Sequence, residues 1–144
     1  MTEPAAPERG HRSLPHTADI RIEAWGPTRE ACLAEAVTAL VDSFADRSGA
    51  ARPTRTVQAE LTAETDEDAL VAVLDEVIYL LDTEDAVPLD AEIEPVAGGV
   101  RLRMRVLSRH DVELTGAAPK AVALHALHLR TDGRRWSCAA TIDV

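Results

Sequence analysis

Aromatic side chains are nearly absent from this chain. Trp25, Phe44, Tyr79 and Trp136 make up the whole complement, 3% of 144 residues. Its core must therefore be aliphatic, with Ala, Val and Leu packed through close helix–sheet contact. Cysteine is scarce as well. Cys32 and Cys138 neither form a disulfide framework nor stand in a C-x-x-C metal spacing, so each reads as a small buried apolar residue in a reduced cytosol. No stretch approaches the ~20 apolar residues of a membrane span. The opening MTEPAAPERGHR has no apolar signal core, so the expected location is cytoplasmic. There is no Walker A loop, no G-x-G-x-x-G, no G-x-S-x-G and no placed nucleophile with its base. The expectation is a protein that is not itself an enzyme.

Positive charge is outnumbered, with 25 acidic against 15 basic residues and a formal net charge of −10. A phosphate backbone repels such a surface, because affinity for it comes mostly from Lys and Arg. The row Arg101, Arg103 and Arg105 is too short to reverse this, so direct nucleic-acid binding is not expected. A metal cation or a basic protein surface fits the charge better.

The length suits one domain. Residues 1–13, rich in Pro, Glu and Arg, read as a flexible tail before a domain spanning 14–144. From Ala18 to Trp25, Ile20, Ile22 and Ala24 alternate with polar residues, as in a strand with one covered face. Gly26-Pro27 ends it and Thr28 caps a helix running to about Ala45, with an apolar stripe through Leu33, Val37, Leu40 and Phe44. Thr56 to Thr62 alternates again. Thr65 followed by Asp66, Glu67 and Asp68 starts a second helix, which stops near Asp82–Asp85. Leu89–Val96 and Val100–Leu107 read as a hairpin turning at Gly98-Gly99, and Lys120–Leu129 and Arg135–Asp143 as another turning at Asp132-Gly133. The order implies an α+β fold, with a mostly antiparallel sheet and two helices packed on one face.

Four groups are candidates for chemistry. In His16-Thr-Ala-Asp19, Asp19 points away from the helix layer; alternatively it is a solvated carboxylate beside a capping His/Thr pair. At the other end, the last apolar strand runs to Asp143 and Val144. If that strand lies beside the first, Asp19, Asp143 and the Val144 carboxylate converge. Three hard oxygen groups suit Ca²⁺ or Mg²⁺ rather than zinc. A third group, Asp82-Thr-Glu84-Asp85, opposes the dipole at a helix C-terminus, a penalty of about 0.3–1 kcal/mol per charge that marks either a binding feature or a solvated turn. The fourth is Lys120, the single lysine among the 15 basic residues. A chain that otherwise uses arginine has a use here for a compact ammonium, or keeps it by chance. His125 projects from the opposite face to Lys120 in a regular strand, and a bulge at Ala121–Ala123 would bring the two together. His110, His125 and His128 show no metal-ligand spacing.

The run His16-Thr-Ala-Asp-Ile20 at a strand start resembles the signature opening of the archease family. The likeness continues in order through Leu80-Leu-Asp-Thr-Glu84, Lys120-Ala-Val-Ala-Leu-His125, and a closing strand with Trp136 and Asp143-Val144. It covers essentially residues 14–144. The resemblance implies a metal site, calcium, at Asp19, Asp143 and Val144. It marks Lys120 as functionally required, with His125 and Asp82 as contributors. The implied role is to assist an RtcB-type RNA ligase, promoting guanylylation of its histidine and multiple turnover in tRNA splicing or RNA repair, with GTP and manganese held by the ligase. Arg21 departs from the family's usual glycine, and Leu124 from its tyrosine. Two other classes remain in view: a general chaperone or modulator of RNA-modifying enzymes such as tRNA methyltransferases, and a metal-dependent hydrolase using Asp19 and Asp143.

Overall fold

The computed structural model describes residues 8–15, 19–49 and 52–144. In chain order the elements are β1 (Gly10–Pro15), β2 (Asp19–Gly26), α1 (Arg29–Asp42), β3 (Ala45–Asp46), β4 (Arg55–Thr62), α2 (Asp66–Glu84), β5 (Ala86–Val96), β6 (Gly99–Ser108), β7 (Glu113–Leu114), β8 (Ala121–Thr131) and β9 (Trp136–Asp143). The α+β class is as the sequence implies. The strands divide into a four-stranded sheet in the order β1-β2-β9-β8, a three-stranded sheet in the order β4-β6-β5, and a two-stranded ribbon of β3 and β7. Every pairing among them is antiparallel.

Each larger sheet turns one apolar face to the helices. On the four-stranded sheet, Ile22, Ala24, Cys138, Ala140 and Ile142 are buried. On the three-stranded sheet, Val100, Leu102, Met104 and Val106 are buried. Helix α1 packs on β2 and β5, and α2 on β8, β5 and β4, so the helices tie the two sheets together. Leu33, Val37, Leu40, Leu70, Leu74 and Val77 fill the centre. Phe44 is the aromatic residue among the fully buried side chains, whereas Tyr79 is 56% exposed. Cys32 and Cys138 are buried free thiols.

The helix starts follow the local sequence. The Thr28 hydroxyl accepts from the Ala31 N–H, and the Thr65 hydroxyl accepts from the Asp68 N–H, both at 3.0 Å. Each satisfies a donor that the first helical turn leaves unpaired. Helix α2 ends at Asp85, whose φ of 51° is left-handed.

Several boundaries differ from the sequence expectation, among them the end of α1 at Asp42 rather than about Ala45, which lies in β3. Gly10–Ser13, expected in the flexible tail, belong to β1, which pairs with β2 from Gly10↔Trp25 to Pro15↔Ile20. Long-range side-chain contacts hold it: His11 bridges Glu35 and Asp42 on α1, and Arg12 meets Glu23. A side chain at position 10 would collide with the Trp25 ring, with a Cβ only 2.5 Å from Cζ2. The first hairpin turns at Ala97-Gly98 rather than Gly98-Gly99, since Gly99 already pairs with Val96. Gly98 has φ 76°, a conformation glycine adopts without a Cβ penalty.

Candidate functional site

Strands β2 and β9 are neighbours. In the β2–β9 ladder, Asp19 stands directly opposite Asp143, Ile20 opposite Ile142 and Arg21 opposite Thr141. Because Ile20, Ile22, Ala140 and Ile142 face the core, the strand alternation turns Asp19, Arg21, Thr141 and Asp143 to the outer face. Opposed residues on antiparallel strands hold their Cβ atoms about 4.5–5.5 Å apart. Val144 adjoins Asp143. On the far side of β9, Ala121 pairs with Asp143, and the Lys120 N–H donates to the Asp143 carbonyl at 2.8 Å. Asp143 is thus the common neighbour of Asp19 and of the segment that carries Lys120.

Lys120 is exposed, and among the described residues no ion pair engages it. Asp19 is half-buried and Asp143 exposed. Among the described residues, no three His, Cys, Asp or Glu side chains are grouped so as to hold a metal. The donor set in question is different: two side-chain carboxylates on adjacent strands with the Val144 backbone beside them. All its atoms are hard oxygens, which fits an alkaline-earth cation and not zinc. His16 lies outside the described residues.

The bulge in β8 is not where the sequence suggested. Ala121, Val122 and Ala123 pair regularly with Asp143, Ile142 and Thr141, and the register breaks only between Ala123 and His128. Leu124, His125, Ala126 and Leu127 form the irregular segment. Ala126 has φ 56°, a left-handed conformation that alanine adopts only at a cost. Arg21 spans β9 to reach it. One guanidinium nitrogen donates to the Thr141 hydroxyl and the other to the Ala126 carbonyl, both at 3.3 Å. His125 is exposed in this segment, and Leu124 is 73% exposed. The displaced bulge leaves Lys120 on a regularly paired stretch and His125 in the irregular one. In the sequence, Arg21 stands out only as a departure from the family pattern. The leucines at 124 and 127, an odd interval in a strand of period two, were the available sign of the bulge.

His128 follows the bulge. Burial first, then the nearby Arg130 and Arg21 guanidinium groups, hold its imidazole below the ordinary value. Its Nδ1 is buried without a hydrogen-bond partner.

The acidic cluster after α2 is partly neutralised. Glu84 pairs with Arg55 at the start of β4, and Asp85 with Arg109 at 3.3 Å. Asp82 is exposed. The basic row on β6 is balanced in the same way. Arg101 pairs with Glu60 and Glu94, Arg103 with Glu92, and Arg105 with Asp90.

These features define an antiparallel α+β domain in which β2 and β9 set two aspartates opposite each other beside a lysine-bearing segment. The chain belongs to the archease family: the family described as "Archease protein family (MTH1598/TM1083)" matches residues 11–144. It is 47% identical over 135 residues to a probable protein archease of Mycobacterium tuberculosis, covering 94% of this chain and 75% of that protein. It is 31% identical over 136 residues to the protein archease of Archaeoglobus fulgidus, covering 93% of this chain and 98% of that one. In fold it resembles a Thermotoga maritima archease described as a possible chaperone, with a TM-score of 0.64 at 23% identity, covering all of this chain and 98% of that one. It likewise resembles protein 1598 of Methanobacterium thermoautotrophicum, with a TM-score of 0.65 at 21% identity, covering 94% of this chain and 99% of that one. No helix among the described residues is long and apolar enough to cross a membrane.

Proposed function

We propose that this protein is a metal-binding accessory factor that activates an RtcB-type RNA ligase, promoting its guanylylation and multiple turnover in tRNA splicing or RNA repair. The observation that carries this reading is the Asp19↔Asp143 pairing, with the Lys120 backbone bonded to the same Asp143, in a chain of the archease family. Asp19, Asp143 and Val144 would hold a divalent cation, calcium by preference for hard oxygen donors. A bound cation supplies positive charge that offsets the opposed carboxylates. Lys120 adds an exposed, compact ammonium suited to a partner's acidic or phosphate group. His125, presented on the bulge, and Asp82 and Glu84 at the end of α2 are further contact residues toward the ligase; His16 is assigned to the same role. The paired arginine row on β6 leaves RNA contact to the ligase, and catalysis belongs there too.

The test is single-turnover guanylylation of the cognate ligase with and without this protein. Acceleration that disappears in Lys120→Ala and Asp19→Asn supports the reading, and a ligase unaffected by the wild-type protein rejects it. A second reading, a chaperone or modulator of RNA-modifying enzymes such as tRNA methyltransferases, draws on the Thermotoga relative's description as a possible chaperone. Affinity capture from the native cell that yields a methyltransferase and no RtcB-type ligase favours it.

A further inference from the structure

A sheet edge with unpaired backbone groups is a template for another strand unless something blunts it. Three of the four edges of the two larger sheets are blunted. Strand β1 contains Pro15 and is tied to α1 through Arg9 and His11. Strand β8 is interrupted by its bulge. Strand β5 carries Pro88 and Pro95 and shifts register after Pro88. Strand β4 has no proline and no register shift, and its tie to a helix is confined to its first residue, through the Arg55–Glu84 pair. Its eight residues pair with β6 without a break from Arg55↔Val106 to Thr62↔Gly99.

The free backbone groups of β4 can be assigned. The Ala63 N–H donates to the Gly98 carbonyl at 2.9 Å. Antiparallel bonding alternates along a strand, so the N–H groups of Thr56, Gln58, Glu60 and Thr62 point away from β6, to the open edge.

Beside this edge, α2 does not fully cover the sheet. A cleft of about 300 Å³ opens between them, floored by Val57, Ala59, Leu102 and Met104 and walled by Tyr79 and Leu80. Glu76 and Glu84 also line it. Burial, then the Glu84 charge, pushes the Glu76 carboxyl above its ordinary value. The cleft is therefore apolar with one acidic side, on which Glu84 is already paired with Arg55 and Glu76 is in no ion pair among the described residues.

We propose that β4 and this cleft dock an extended segment of a partner protein, which adds as a strand to the β4 edge and sets a basic side chain against Glu76 beside apolar ones. Strand addition draws affinity from main-chain hydrogen bonds and selectivity from pockets for alternate side chains. Charge selects the partner's chemistry. A second copy of this chain, with net charge −10 and the same acidic rim, repels itself, and a basic segment does not. The surface shares Glu84 with the contacts proposed above but lies on the other large sheet from Asp19 and Asp143, and it stands whether or not the partner is a ligase.

The test is an NMR titration of the whole chain with a capped octapeptide, Leu-Thr-Lys-Thr-Leu-Thr-Lys-Thr, together with amide exchange. The expected shifts centre on β4 and on Glu76, Tyr79 and Leu80, with slowed exchange at Thr56, Gln58, Glu60 and Thr62. Replacing both lysines of the peptide by glutamate weakens binding about tenfold or more, the equivalent of one lost charge-assisted contact. Gln58→Pro, which removes an edge donor without touching the β4–β6 ladder, abolishes binding. Glu76→Lys, which leaves the strand intact, reverses the preference between the two peptides. Absent shifts at millimolar peptide, shifts confined to other surfaces, or equal binding of both peptides overturns the proposal. Self-association through β4 without peptide, abolished by Gln58→Pro, overturns the choice of a foreign partner in favour of a second copy.

Discussion

Asp19 and Asp143, 124 positions apart in sequence, are direct cross-strand partners in the β2–β9 ladder. Like charges facing each other on one side of a sheet are mutually destabilising. A cation between them reverses that sign, which makes the pair testable by stability alone.

Asp143→Asn removes one of the two charges. Its melting temperature in EDTA is expected to equal or slightly exceed that of the wild type. In calcium the order inverts, because only the wild type gains ligand-linked stability, about 2.7 kcal/mol when free ion is a hundredfold above Kd. Differential scanning fluorimetry in the two buffers reads both signs. The same order in both buffers counts against the pair as a cation site.

Lys120 is exposed and its side chain supports no part of the core. Lys120→Ala is expected to change stability by no more than about 0.5 kcal/mol while abolishing ligase activation. Lys120→Arg tests whether charge alone suffices. The planar guanidinium differs in shape from a compact ammonium, so only weak rescue is expected in the guanylylation assay.

The Arg21 side chain donates to the Ala126 carbonyl within the β8 bulge. Arg21→Ala is expected to cost about 0.5–1.5 kcal/mol, the range for one net hydrogen bond, and to speed amide exchange across Leu124–Leu127. Ala126→Gly, which suits a φ of 56°, shifts stability the other way. If exchange in the bulge is unchanged in Arg21→Ala, the bulge is held by something else.

For His128 the sign follows from the depressed folded value. The unfolded chain takes up the proton first as pH falls through the ordinary imidazole value of 6.5. This contribution to stability is complete above that pH and is lost on descending through it. The groups acting on the ring are Arg130 and Arg21, which disfavour its charge, and Glu23 and Glu67, which favour it. In His128→Gln the decline in denaturation midpoint between pH 7 and pH 5 is expected to flatten. Glu35, also perturbed, acts in a separate window. Burial raises its carboxyl, but hydrogen bonds from Arg9 and His11 outweigh this and hold it below 4.5.

Much of this architecture was legible in local pattern. Thr28 and Thr65 announced their helices because capping is settled by a hydroxyl and a backbone N–H three residues away. The alternation of Ile20, Ile22 and Ala24 fixed which side of β2 Asp19 occupies. What local pattern does not carry is which strands become neighbours. The division into two large sheets depends on how α1 and α2 pack between distant strands, and β1 is tied by side-chain hydrogen bonds from Arg9 and His11 to a helix more than twenty residues away. The adjacency of Asp19 and Asp143 was expected only conditionally, and the ladder register supplies it. The place of the bulge was not legible locally, since the Arg21–Ala126 contact made there spans 105 positions. The open edge of β4 was invisible, since an edge strand with one covered face reads like any other alternating run.

Calorimetric titration of the metal-free protein with calcium decides whether Asp19 and Asp143 share an ion. One ion per chain is expected for the wild type, with binding lost in both Asp19→Asn and Asp143→Asn and kept in Asp82→Asn, whose carboxylate belongs to the end of α2. Calcium uptake that survives both strand substitutions, or no uptake by the wild type, contradicts the account.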